Sequence, residues 1–123
     1  MTVEDAAAGD LLRFLHLAGR LKETVRAGWA LRGVEGAESV ADHSFRLALL
    51  ALVLAPRVEP PLDRERCMAM ALVHDLAECL TGDITPLDGV SAEEKRRREQ
   101  EAFRHLGDLA GEPRLAELWE EYD

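Results

Sequence analysis

Aromatic residues are scarce in this 123-residue chain: three Phe, two Trp and one Tyr, 5% of the total. The core must therefore come mostly from Leu, Ala and Val. Val, Ile and Thr are too few to supply several strands, so close-packed helices are favoured over a β-sandwich. Cysteine is equally scarce, at two. Cys67 and Cys79 fall in one apolar run, which speaks against a disulfide framework and for reduced core residues of a cytoplasmic protein. Met1 to Asp10 is acidic and lacks the apolar centre of a secretion signal. No run approaches a membrane span, because Leu47 to Ala55 is far too short. Positive charge is short as well: 15 Lys and Arg stand against 24 Asp and Glu, a formal net charge of −9. Nucleic acid is thus a poor partner. A small phosphorylated substrate stays open, since a bound cation supplies local positive charge.

What is present is 47% hydrophobic and 32% charged residues, the balance of one compact domain over residues 1–123. Asp10 can cap a helix from Leu11 that runs out near Lys22 to Val25. Gly28, Gly33 and Gly36 mark a connection through Trp29. Ser39-Val-Ala-Asp42 reads as a capping box opening a second helix to Ala55. Pro56, Pro60 and Pro61 make a stiff linker, and Asp63 caps a third, central helix that ends around Leu80 with Gly82 as terminator. Ser91-Ala-Glu-Glu94 is a second capping box, for a charged helix to about Leu106. A last helix follows Pro113. The expectation is all-α, about five helices.

The central run, Cys67 to Leu80, is apolar around its whole circumference, as a buried helix is. It nevertheless holds His74, Asp75 and Glu78. An unpartnered ionised carboxylate there costs several kcal/mol or more. At about 100° per residue, Glu78 lies roughly 40° and Asp75 roughly 100° from His74, so all three project into one sector. A metal ion is the natural occupant. His43, just after the second helix start, is the obvious remote partner. Two imidazoles and a carboxylate suit Mn, Co, Fe or Zn and, less well, Mg. Alone, His43 would read as a surface residue and His74 as a satisfied core histidine; Asp75 and Glu78 reverse that reading. Lys95-Arg-Arg-Arg98 is interleaved with Glu93, Glu94, Glu99 and Glu101 at helical spacing, which makes it a solvated, salt-bridged face.

Glu38-Ser-Val-Ala-Asp-His43, His74-Asp-Leu-Ala-Glu78 and Thr81-Gly-Asp-Ile-Thr-Pro86, in this order and with Gly28-Trp29 and Glu117-Leu-Trp-Glu-Glu121 around them, resemble the 5′-deoxynucleotidase branch of the HD-domain metal-dependent phosphohydrolases. The resemblance implies an HD-domain helical bundle that hydrolyses deoxynucleoside 5′-monophosphates to deoxynucleoside and phosphate with a divalent cation. By it, His43, His74 and Asp75 match metal ligands, Glu78 the catalytic acid/base, and Asp75 part of the catalytic centre. Asp83, Ile84, Thr85, Pro86 and Glu121 match substrate-binding positions, and Glu78, Asp83 and Ile84 a second cation site. Trp29 matches a tryptophan that packs where a 2′-hydroxyl would sit; read alone, it fits a core anchor between glycines nearly as well. Thr81-Gly-Asp83 read alone is equally a helix terminator.

Two departures stand out. Gly28 occupies the position where bacterial members place a phosphate-orienting arginine, with Arg26 and Arg32 as candidates to substitute. The fourth metal ligand, an aspartate on a later helix, has no counterpart before Asp123; Asp83, Asp88 and Asp108 stand at other places. The expectation is a bundle lacking the family's last helices, with exposed apolar surface that favours a homodimer. The alternative to an enzyme is a catalytically silent HD-type module acting in dimerisation or ligand binding.

Overall fold

The computed structural model describes residues 3–26, 38–82 and 88–122. Among them every extended element is helical, and a single antiparallel bridge joins Val25 to Ser39. In chain order the helices are α1 (Val3–Ala18), α2 (Val40–Leu54), α3 (Arg64–Val73), the one-turn α4 (Glu78–Thr81), α5 (Ala92–Ala110) and α6 (Arg114–Tyr122). Short 3₁₀ turns follow α1 (Gly19–Lys22) and α2 (Ala55–Arg57). Five principal helices make the all-α fold expected.

The helix starts follow the polar residues that cap them. Ser39 and Asp42 form both halves of the capping box, each bond 3.1 Å long. The Asp63 carboxylate accepts from the Arg66 amide at 3.2 Å. Ser91 Oγ accepts from the Glu94 amide at 3.1 Å. The Glu94 carboxylate, however, turns to Arg97 and Arg98 rather than completing a box. Gly82 closes α4 at φ 71°, and Gly111 closes α5 at φ 63°, a region that glycine enters without strain.

Three boundaries differ from the sequence expectation. The first helix begins at Val3, not Leu11. Ala6 to Ala8 are strong helix formers, so Asp10 lies inside the helix and accepts from Arg13 at 3.2 Å. The charged helix runs past Leu106 to Ala110. Gly107 is tolerated within it because the chain returns closely there: a Cβ would stand 3.3 Å from the Glu112 carbonyl oxygen. Most consequential, the central helix is not continuous. It ends at Val73, and residues 74–77 form turns before α4. Bonds there tighten to i→i−3: Leu76 to Val73 (2.9 Å), Glu78 to Asp75 (3.0 Å) and Cys79 to Leu76 (3.1 Å).

The core lies between α5, α6, α1 and the α3–α4 segment. Phe103 and Leu106 are fully buried, and the Trp119 ring stacks on Phe103 with centroids 5.2 Å apart. Trp119 Nε1 donates to Glu99 Oε2 at 3.2 Å, and the Arg96 guanidinium covers the ring at 4.9 Å. The Lys95–Arg98 run is the salt-bridged face expected, with Arg97 held between Glu94 and Glu101. On the other side α2 packs along α3. Its outer flank exposes Leu50, Val53 and Leu54, and an apolar groove of about 420 Å³ runs beside it. Apolar surface is thus exposed, as expected. Cys67 and Cys79 are both free thiols.

Candidate metal centre

The break after Val73 is where the functional side chains gather. His74 Nδ1 donates to the Ala71 carbonyl at 2.7 Å. An uninterrupted helix would give that carbonyl to the Asp75 amide, so the imidazole replaces a rung of the helix. With its proton committed to Ala71, Nδ1 fixes the tautomer and leaves the Nε2 lone pair facing the other way. Nε2 lies 3.0 Å from Asp75 Oδ2. From the first turn of α2, His43 brings its Nε2 to 3.7 Å from the same oxygen. The two imidazole rings meet edge-on, 5.5 Å apart.

One donor atom from each of His43, His74 and Asp75 lies within 4.8 Å of the others. His74 is buried, and the other two are half-buried. Two nitrogen lone pairs and a carboxylate oxygen facing one another repel unless a cation stands among them. The titration behaviour says the same. Burial opposes the imidazolium of His74, yet the hydrogen bond and charge of Asp75, with the Ala71 carbonyl, outweigh it and hold His74 above its ordinary 6.5. Burial likewise opposes the Asp75 carboxylate, but His74, His43 and Arg26 overcome it and hold Asp75 below 3.8. Burial, then the charge of Arg26, pushes His43 below 6.5, which favours the neutral imidazole that a cation needs. The directions of the two shifts mark a place that favours positive charge beside Asp75. The donor set fits a divalent cation of the borderline class, bound by two nitrogens and one oxygen.

The remaining site residues fall in three groups. Glu78 opens α4 one turn on, half-buried, and is not one of the three residues that converge within 4.8 Å. Glu121, on α6, forms an ion pair with Arg66 of α3. Trp29, Arg32, Asp83, Ile84, Thr85 and Pro86 lie outside the described residues, as does Gly28. Two contacts have no helical or strand period in the sequence. The Tyr122 ring lies against the His74 imidazole, centroids 4.8 Å apart. Glu38 accepts from Arg26 and Arg46 at 3.0 Å each. In the sequence Glu38 stands only as the first residue of the Glu38–His43 block, with no role of its own.

The HD domain family model matches residues 18–123. The chain is 48% identical to 5′-deoxynucleotidase HDDC2 of Bos taurus over 125 residues, covering 99% of this chain and 60% of that protein. It is 46% identical to the Homo sapiens protein of the same name, with the same coverage. Against 5′-deoxynucleotidase hdd1 of Schizosaccharomyces pombe it is 46% identical over 76% of this chain and 46% of the relative. Among solved structures, the PH0347 protein of Pyrococcus horikoshii superposes with TM-score 0.76 at 38% identity, covering 90% of this chain and 62% of that one. A conserved hypothetical protein of Pyrococcus furiosus gives TM-score 0.76 at 36% identity, over 90% and 65%. The chain spans about 60% of the length of the first curated relatives it matches.

Proposed function

The chain belongs to the HD domain family, and on that premise we propose that it carries out metal-dependent hydrolysis of deoxynucleoside 5′-monophosphates to deoxynucleoside and phosphate. The observation that carries this reading is the convergence of His43, His74 and Asp75 at a helix break, in a chain whose curated relatives are named 5′-deoxynucleotidases. The alternative of a silent module is not favoured by those names.

His43, His74 and Asp75 would hold the cation: Mn, Co, Fe, Zn or Mg. When bound, such an ion supplies Lewis acidity toward a phosphoryl oxygen and makes water a better nucleophile near neutral pH. The chain's own residues do the rest. Glu78, one turn beyond His74, orients the attacking water or delivers the proton that the leaving 5′-oxygen takes as its bond to phosphorus breaks. Arg26 is the described cation best placed for the phosphate. Its charge reaches His43, His74 and Asp75, and only one of its amino groups has a described bond, to Glu38 at 3.0 Å. Trp29 would pack on the sugar, and Asp83, Ile84, Thr85 and Pro86 would line the nucleotide, with Glu121 at the rim. Glu78, Asp83 and Ile84 would form a second cation site. A homodimer through the apolar flank of α2 and a cytoplasmic location complete the reading. Among the described residues no helix is long and apolar enough to cross a membrane.

The test is phosphate release from dAMP and AMP with added Mn or Co. Release from dAMP, weaker release from AMP, and loss of both in Asp75→Ala is the expected result. A steric pocket discriminates an added hydroxyl by roughly a hundredfold. Activity that survives Asp75→Ala would overturn the reading.

A further inference from the structure

We propose that Glu38 is a positioning residue of the metal centre: one carboxylate that sets the ring of His43 and ties down the two guanidinium groups beside it. The inference rests on the metal reading above and deepens it.

Glu38 is pinned on both sides. Its carbonyl accepts from the Arg26 amide at 3.2 Å, and the Val40 amide donates to the Thr24 carbonyl at 2.7 Å, which is the bridge between Val25 and Ser39. Directly after it, Ser39 begins the capping box of α2. The backbone of Glu38 is therefore held by a two-stranded clasp and a helix start, and its side chain has little freedom. Its two oxygens are divided. Oε1 accepts from Arg26 Nη1 at 3.0 Å and stands 3.8 Å from His43 Nδ1; Oε2 accepts from Arg46 Nη1 at 3.0 Å.

His43 thus lies between two carboxylates, with Nε2 toward Asp75 at 3.7 Å and Nδ1 toward Glu38 at 3.8 Å. At that separation the Glu38 contact is electrostatic, short of a hydrogen bond. With a cation on the Asp75 side the imidazole proton would be left to Nδ1, where the Glu38 carboxylate faces it. A metal-binding histidine almost always has an acceptor behind its second nitrogen. For His74 that acceptor is the Ala71 carbonyl. Among the described residues, the carboxylate on that side of His43 is Glu38.

The guanidinium groups give Glu38 its second task. Arg26 and Arg46 would repel a dication held by His43, and a shared carboxylate between them screens that repulsion. Losing the negative charge would release the tautomer and unscreen both arginines, and each change weakens cation binding. Arg26 would also lose the tether that keeps it beside the donor set.

The test uses the intact chain and Co(II) alone as probe, read by calorimetry and by visible absorption, with Glu38→Gln and Glu38→Asp as variants. Gln keeps the shape and removes the charge; Asp keeps the charge on a shorter arm. The expected result is a loss of roughly tenfold to a hundredfold in Co(II) affinity for Glu38→Gln. A changed Co(II) spectrum and partial recovery in Glu38→Asp would accompany it. The metal-free thermal midpoint should barely move, because partly exposed ion pairs contribute little. Wild-type affinity and spectrum in Glu38→Gln, while His43→Ala loses the ion, would overturn the inference. Failure of the wild-type chain to bind Co(II) would overturn the metal reading and this inference with it. Tight Co(II) binding that depends on Glu38, without phosphate release from dAMP, would uphold Glu38 and overturn the nucleotidase reading alone.

Discussion

His74 gives its Nδ1 proton to the carbonyl oxygen of Ala71, 2.7 Å away, and thereby both breaks the central helix and aims Nε2 at Asp75. Local backbone geometry and donor chemistry are the same event here.

Cation binding should compete with protonation of His74. His74 titrates above its ordinary 6.5 in the metal-free protein, so apparent Mn or Co affinity should rise with pH through that raised value and fall below it. Calorimetry in two buffers of different ionisation enthalpy would measure the proton released. Equal heats in both buffers would contradict the prediction.

Without metal the stability should run the other way. A histidine pKa raised by folding stabilises fully below its unfolded value of about 6.5, and that contribution is lost as pH rises through the folded value. Asp75, lowered below 3.8, stabilises above that value and loses its contribution as pH falls through its folded pKa. Metal-free denaturant midpoints should therefore decline on going above the histidine range, and Asp75→Asn should flatten that decline. A slope unchanged in Asp75→Asn would count against the pair.

Trp119→Ala should destabilise the chain by about 3–5 kcal/mol. The substitution removes a buried ring stacked on Phe103 and leaves Glu99 without its indole donor. Trp119→Phe should recover most of the stacking but not the hydrogen bond. Chemical denaturation of the two variants would separate these contributions, and near-equal losses would point to the hydrogen bond as dominant.

Cys79 should resist alkylation in the native state. The thiol is buried, and burial pushes its pKa up to about 11. Iodoacetamide at neutral pH should modify the half-buried Cys67 first, with Cys79 reacting only on unfolding. Mass spectrometry of the native time course reads the order directly, and simultaneous labelling would be the contrary result.

Much of this was legible in the sequence because it is local. Ser39, Asp63 and Ser91 announce helix starts through hydrogen bonds only three residues long. Gly82 marks an end through its backbone freedom. The His74–Asp75 pair inside an apolar run announces a buried partner, since charge there is costly. The break at residues 74–77 was not legible. Leu76 and Ala77 favour continued helix, whereas the ring of His74 reaches back to the Ala71 carbonyl that the next rung would use. Tyr122 against His74, and Glu38 between Arg26 and Arg46, are tertiary meetings with no period in the sequence. The start of α1 lies ahead of Asp10 because three alanines outweigh a cap residue in the next turn.

The donors at the centre come from two different rods, His43 from α2 and His74 with Asp75 from the end of α3. An ion seated among them is consequently a stitch through a seam. Loosening the seam anywhere along its length, by trimming Ala48 or Ala71 for instance, would slacken the grip on the ion without touching a ligand. The same stitch would in turn slow the opening of the bundle to proteases.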